Sequence, residues 1–299
     1  MVDEVYELES YPSEDSKVRA ESHTPSPGGN AANVAFMLKK LWGSQAEVRI
    51  CSYVGDDLLG DYLVGECCGR HISTASLVRL PQHKTSKTVV LRTAPNRTCI
   101  HLKACPDVDL EMFKQGFCSS IPSSNRVWVH FEGRNTLETL EMMKLVRTSS
   151  PENVISLELE RCRLGNEYKL LEQSPLVCVF SQTYLQHFGF GFDTVKQFFT
   201  EILLAREQLG PRTGLGLWVV TFGSRGSVSC LVSRTALASE LAVVVEPTPL
   251  RVIDSLGAGD CFMAGLIYHV SQHGLGSHPT AAVQFATQVA VHKLQRLGI

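Results

Sequence analysis

Arg251-Val252-Ile253-Asp254-Ser255-Leu256-Gly257-Ala258-Gly259-Asp260-Cys261-Phe262 is the stretch on which the reading of this chain turns. A β-branched run enters, small residues make a turn, and a long apolar segment leaves with helical spacing. Such a unit leaves the N–H groups of Gly257, Ala258 and Gly259 uncovered at a helix N-terminus, where the helix dipole makes them an anion site. An acidic residue inside an anion site repels the anion. The arrangement makes sense when Asp260 takes a proton from a hydroxyl while the N–H groups hold a transferring phosphoryl group. The plainer reading leaves Asp260 as a first-turn residue favoured by the dipole. The whole D-S-L-G-A-G-D run before an apolar helix favours the functional reading. Other phosphate signatures are missing. There is no G-x-x-x-x-G-K-[ST], and position 262 is Phe where a dinucleotide fingerprint needs its third glycine.

A second segment, Gly28-Gly29-Asn30-Ala31-Ala32-Asn33, lies far upstream. The glycines allow close approach of a ligand to the backbone. Asn30 and Asn33 stand three apart at a helix start, so both amides face one side. Amides donate and accept, which suits the vicinal hydroxyls of a sugar. Asn30 as an ordinary helix cap is the competing account.

Around these segments the chain alternates. Helical spacing covers Ala31–Trp42, Leu58–Cys68, Thr136–Arg147, Leu164–Leu171, Thr194–Leu209, Gly259–His273 and Pro279–Leu294. Strand patterns cover Val48–Val54, Val127–Phe131, Val154–Leu159, Leu176–Phe180, Leu217–Thr221 and Ser227–Val232. The alternation predicts an α/β fold with a mostly parallel sheet flanked by helices. Lys87–Arg92 and Thr98–Lys103, with a turn at Pro95-Asn96, break the rhythm and predict a small extra sheet. No linker or repeat divides the sequence, so a single domain over 1–299 is expected, with lid or clasp β segments near 4–27 and 84–104.

The chain has 299 residues, 28 Lys plus Arg against 30 Asp plus Glu, a formal charge of −2, and 44% hydrophobic residues. That balance excludes a basic nucleic-acid footprint and an acidic disordered chain. No apolar run reaches the ~20 residues that span a bilayer, and the acidic start Met1-Val2-Asp3-Glu4 does not read as a secretory signal. The 10 cysteines form no C-x-x-C pair, so reduced thiols in a cytoplasmic protein are expected.

The two glycine segments resemble those of the ribokinase/pfkB family of sugar kinases, with G-G-N-x-x-N towards one end and D-[ST]-x-G-A-G-D-x-F towards the other. Val54-Gly55-Asp56-Asp57-x-x-Gly60 and Thr221-x-Gly223-x-x-Gly226 are similar to further landmarks of that family. Tyr11-Pro12-Ser13-Glu14-Asp15-Ser16, His130-Phe131-Glu132-Gly133-Arg134-Asn135 and Leu157-Glu158-Leu159-Glu160-Arg161 resemble its ketohexokinase (fructokinase) branch.

The resemblance implies a ribokinase-like fold, ATP and Mg²⁺, and phosphorylation of a ketose such as fructose to its 1-phosphate. It implies that Asp3, Gly29, Asn30, Asn33 and Arg134 hold the sugar and that Asp260 is the base. Gly257, Ala258 and Gly259 would form the anion hole, with Gly223, Ser224, Gly226 and Gly257 on the nucleotide side. It also implies a homodimer through a β-clasp, with Asp15 reaching the neighbouring sugar site. Two other functions stay open: a sugar- or partner-binding protein of this fold without turnover, and a kinase acting on ribose or adenosine.

Some positions depart from the family pattern. Met1-Val2 directly precede Asp3, where the family has a full strand, so a central sheet lacking that strand is expected. The phosphate-side stretch after the second clasp strand reads Leu102-Lys103-Ala104, leaving Lys103 as a partial substitute. The adenine-side loop reads Lys293-Leu294-Gln295-Arg296-Leu297-Gly298.

Overall fold

The computed structural model describes residues 1–93, 96–118, 126–207, 215–233, 236–245, 252–276 and 278–299. The expected turn at Pro95, the strand start at Arg251 and the helix end at Leu209 lie outside these. In chain order the elements are β1 (Val2–Glu7), β2 (Ser22–Pro27), α1 (Asn30–Trp42), β3 (Ser52–Gly55), α2 (Leu58–Gly69), β4 (Leu77–Leu80), β5 (Lys87–Thr93) and β6 (Asn96–Leu102). Then come α3 (Leu110–Cys118), β7 (Trp128–Glu132), α4 (Thr136–Ser149), β8 (Val154–Leu159), β9 (Val177–Ser181), α5 (Gln182–His187), α6 (Val195–Glu207), β10 (Gly216–Thr221), β11 (Ser227–Val232), β12 (Ala242–Val244), α7 (Ala258–His273) and α8 (Thr280–Leu294). They fall into two compact units, one of Met1–Val108, Pro249–Ala264 and Val289–Ile299, the other of Asp109–Thr248 and Gly265–Gln288.

In the first unit a four-stranded sheet has the order β2-β1-β5-β6. Strand β1 runs antiparallel to β2 and parallel to β5, and β5 runs antiparallel to β6. The register places Ser26, Asp3, Thr88 and His101 in one row across the sheet. This is the small sheet that the hairpin segments predict. Strands β3 and β4 form a separate parallel pair.

Helix α2 shows how a glycine-rich landmark becomes structure. Asp57 Oδ1 accepts from Gly60 N–H at 2.9 Å and from Thr85 Oγ1 at 2.6 Å, and Oδ2 accepts from Thr85 N–H at 2.9 Å. One carboxylate thus caps the helix and ties down the segment before β5. A side chain on Gly60 would meet Gly55 O at 2.2 Å and one on Gly55 would meet Thr85 N at 2.4 Å, so both residues must be small. In α1, Val34, Ala35, Phe36, Met37 and Leu38 are buried, while Lys39 and Lys40 meet the helix dipole in the last turn.

In the second unit a six-stranded sheet has the order β12-β11-β10-β9-β8-β7. Strands β7 to β10 are parallel, and β11 and β12 are antiparallel additions. Phe180, Tyr184, Phe198, Phe199 and Trp218 are buried together, with Phe180 and Trp218 edge-on at 5.8 Å. Each such ring contributes roughly 1.5–3 kcal/mol of burial. The helix expected over 164–171 is instead a 3₁₀ segment, Glu167–Gln173. The buried Glu167 carboxylate turns back to accept the N–H groups of Arg163 and Leu164, both at 2.7 Å, which stops an α-helix from starting there.

Candidate active site

The expected site residues of the first unit converge from three elements. Asn33 lies on the buried face of α1, and its Nδ2 donates 2.7 Å to Oδ2 of Asp260 in the first turn of α7. Residues 227 apart in sequence therefore meet side chain to side chain. Gly257 stands beside them: a side chain there would come within 3.4 Å of Asn33 Nδ2, and its φ of +77° is a left-handed conformation that favours glycine. Ala258 N–H reaches Ser255 O only at 3.4 Å, and the space beside Gly259 is open within 4 Å. At this start of α7 Gly259 is exposed, while Gly257 and Ala258 are half-buried.

Asp3 enters from β1 and is buried. Its carboxyl group fills the space above Gly28, where a side chain would stand 2.2 Å from Asp3 Cγ. The doubled glycine of Gly28-Gly29 is thus partly a consequence of where Asp3 lies. Burial raises the Asp3 pKa above the ordinary carboxylate value, and the Thr88 hydroxyl and the charge of His101 only partly offset it. Thr88 Oγ1 in turn contacts His101 Nδ1 at 2.9 Å, so the sheet row continues as a polar chain.

Gly29 is the residue before α1, with φ +96° and no side chain to cap the helix. Asn30 is the first helical residue, not the cap, and is half-buried.

Sequence reasoning missed the cage around Asp254. This carboxylate is buried and accepts from Lys293 Nζ at 2.8 Å, from Leu256 N–H at 3.0 Å and from Gly298 N–H at 3.3 Å; Arg92 lies at 3.4 Å. Burial works against its charge, but Lys293 and the backbone donors outweigh it and hold the pKa below the usual value. Lys293 also donates to the Asp254 and Arg296 carbonyls. The Lys293–Gly298 stretch therefore clamps the start of the anion turn. Arg92 and Arg97, from the β5–β6 hairpin, reach Asp254 and Ser255 respectively. Only the sheet register shows which hairpin side chains face that turn.

Other expected residues stand elsewhere. Asp15 is exposed, in a turn with φ +59°, among residues that make only local contacts. Lys103, expected on the phosphate side, pairs with Asp107 at 2.6 Å. Arg134, Gly223, Ser224 and Gly226 belong to the second unit. There Arg134 pairs with Glu132 and Glu160; burial opposes its charge, yet these carboxylates raise its pKa. Gly223 and Gly226 have φ of +58° and +83° in the tight connection from β10 to β11, and a side chain on Gly226 would meet Val244 O at 2.1 Å. Among the described residues no group of three or more His, Cys, Asp or Glu side chains is placed to hold a metal ion. None of their helices is long and apolar enough to cross a membrane.

Comparison with known proteins agrees with this geometry. The chain is 27% identical to mouse (Mus musculus) ketohexokinase over 305 residues, covering 98% of this chain and 93% of that protein. It is 27% identical to a fructokinase of Vibrio alginolyticus over 281 residues, covering 87% and 82%. Its fold matches the ribokinase of Giardia lamblia at a TM-score of 0.77 with 16% identity, covering 99% of this chain and 91% of that one. It matches Arabidopsis thaliana ribokinase complexed with ribose and ATP at 0.70 with 19% identity, covering 99% and 90%. The α/β fold is therefore ribokinase-like, as the sequence implies. The family model for pfkB carbohydrate kinases matches residues 1–114 and 201–299, and with the two glycine segments folded onto one buried Asn–Asp pair, the chain belongs to the pfkB family of carbohydrate kinases.

Proposed function

We propose that this chain is an ATP-dependent ketose kinase that converts fructose to its 1-phosphate. The observation that carries the reading is the 2.7 Å hydrogen bond from Asn33 to Asp260 beside the turn Gly257–Gly259, where Ile299 packs against Gly257 and the space beside Gly259 is open. It puts a sugar-type amide, a proton acceptor and an anion site in one place. The C1 hydroxyl oxygen of the sugar forms a bond to the γ-phosphorus, and the bond from that phosphorus to the β–γ bridging oxygen breaks. ADP leaves with the electron pair, and the hydroxyl proton passes to Asp260. Asp3, Gly29, Asn30 and Asn33 hold the sugar hydroxyls, and the N–H groups of the turn stabilise the phosphoryl oxygens.

Arg134 is a further sugar contact on this reading, and Gly223, Ser224 and Gly226 line the nucleotide. Mg²⁺ is implied by the family. It would arrive on the nucleotide phosphates and keep several of its waters. The two compact units serve one catalytic domain, a reading supported by a family model that matches residues in both. A homodimer through the four-stranded sheet is supported by Ile100 and Leu102, 55% and 56% exposed on β6, and by the exposure of Asp15. A cytoplasmic setting is supported by nine free thiols among the described residues.

Coupled ADP release with fructose and Mg-ATP tests the proposal. Saturable turnover supports it, and a folded protein with none defeats it. The same assay with ribose and adenosine separates the acceptors. One observation favours sugar binding without turnover: Lys103 is bound to Asp107 and so is not directed to a phosphate. Calorimetry showing sugar binding without ATP binding would establish that alternative.

A further inference from the structure

A group of positive charges in the first unit lies outside the site described above. The C-terminal ends of α1 and α2 border a cavity of about 380 Å³, lined by Phe36, Lys39, Lys40, Arg70 and His71 among others. That volume suits a small-molecule ligand. Two carboxylates lie near, and each already has a partner: Glu66 pairs with Arg70 at 3.1 Å and Glu47 with Arg49 at 2.8 Å. Among the described residues neither Lys39 nor Lys40 forms an ion pair. Partial loss of water lowers the Lys40 pKa, and the charges of Arg70, Arg296 and Lys293 push the same way. The cavity therefore carries an excess of positive charge, which an anion relieves.

Arg70 is fixed in place to meet such an anion. Its guanidinium stands 4.6 Å from the centre of the buried Phe36 ring, Nε and Nη2 donate to Glu66 Oε2, and Nη1 donates to the main-chain oxygen of Ile299 at 2.9 Å. Ile299 in turn packs against Gly257, in the turn before α7. One arginine and one aliphatic side chain thus join the cavity to the anion turn. A phosphate dianion, with several strong acceptor oxygens, competes well against a single main-chain oxygen for Nη1.

We propose that this cavity is a second anion site, for the phosphate dianion of a small phosphomonoester or of free phosphate, and that filling it draws Arg70 from Ile299 and loosens the anion turn. The site itself stands without the kinase reading above; its effect on turnover rests on that reading.

Calorimetry on the full chain measures binding of glycerol 2-phosphate and of inorganic phosphate to wild type, to the double variant Lys39→Gln/Lys40→Gln and to Lys40→Arg. The double variant should bind both probes at least about tenfold more weakly, and Lys40→Arg should stay near wild type because it keeps the charge. Lys39 is half-buried and Lys40 exposed, so Tm should hardly change. Tighter binding of glycerol 2-phosphate assigns the site to phosphomonoesters, and tighter or equal binding of inorganic phosphate assigns it to the free ion. No binding to wild type, or equal binding to the double variant, overturns the site. With fructose and Mg-ATP, saturating glycerol 2-phosphate should lower wild-type kcat by about fivefold and leave kcat of the double variant unchanged. Binding that leaves wild-type kcat unchanged overturns the link through Arg70. Equal inhibition of the double variant, or a rise in the ATP KM alone, places the anion at the turn itself and also overturns that link. If wild type shows no turnover without the probe, the kinase reading fails, and calorimetry alone decides the site.

Discussion

Lys293→Met tests what holds the anion turn in place. The side chain keeps nearly the volume of the lysine stem and loses the ammonium. Lys293 and Asp254 are 2% and 5% exposed, so their charges meet almost out of water. The variant strands the Asp254 carboxylate and withdraws a donor from the Asp254 and Arg296 carbonyls. Removing one partner of a buried pair costs about 3–5 kcal/mol. Arg92 and the N–H groups of Leu256 and Gly298 still face the carboxylate, so the lower end, about 3 kcal/mol, is expected. At about 2–4 °C per kcal/mol, Tm falls by roughly 6–12 °C. Adding Asp254→Asn removes the stranded charge, and the double variant should recover about 1 kcal/mol or more.

The pH dependence follows from the depressed Asp254 pKa. Its contribution is complete above the ordinary value of 3.8 and is lost as pH falls through the lower folded-state value. Wild type should therefore lose more stability on acidification below pH 4 than Lys293→Met does. Urea unfolding followed by circular dichroism measures all four members of the cycle. A single-variant cost under about 1 kcal/mol, with no recovery in the double variant, would refute the argument that this pair fixes the turn.

Three further outcomes are expected. Asp260→Asn keeps the hydrogen-bonding shape but cannot accept a proton, so turnover with fructose should fall by ~10²–10⁴ with little change in Tm; wild-type turnover would leave Asp260 as a first-turn residue only. Asp3→Asn should raise Tm, because burial penalises the charge at neutral pH, while fructose affinity falls about tenfold; a lower Tm would place the burial argument in error. Mixing Asp260→Asn chains with Asp15→Ala chains should restore activity above either parent, and a monomer by ultracentrifugation at micromolar concentration would leave Asp15 a solvated surface charge.

The parts of this fold that were legible in sequence are those with strong periodicity or forced smallness. Helix α1 and the run into α7 carry apolar residues at helical spacing, and the glycines at 28, 55, 60 and 257 stand where side chains or backbone approach too closely for a Cβ. Strand β2 falls inside the β segment expected near 4–27, although Ser22-His23-Thr24-Pro25-Ser26-Pro27 has no apolar alternation to mark its bounds; its pairing with β1 sets them. The Asn33–Asp260 contact was expected as a shared site but not as a direct bond. Arg97 and the Asp254 cage were not legible, because each depends on tertiary register between segments that carry no common motif.

The bond between Asn33 and Asp260 also bears on waste. A kinase that holds ATP beside a basic carboxylate risks handing the phosphoryl group to water. Here the amide hydrogen covers Oδ2 of that carboxylate, so this oxygen is engaged before any acceptor arrives. A sugar that recruits the Asn33 amide to its own hydroxyls lifts this cover at the moment its hydroxyl arrives. On the kinase reading proposed above, the side chain that would recognise the acceptor is also the one that keeps water from the base, so preference for alcohol over water would rest on a single hydrogen bond.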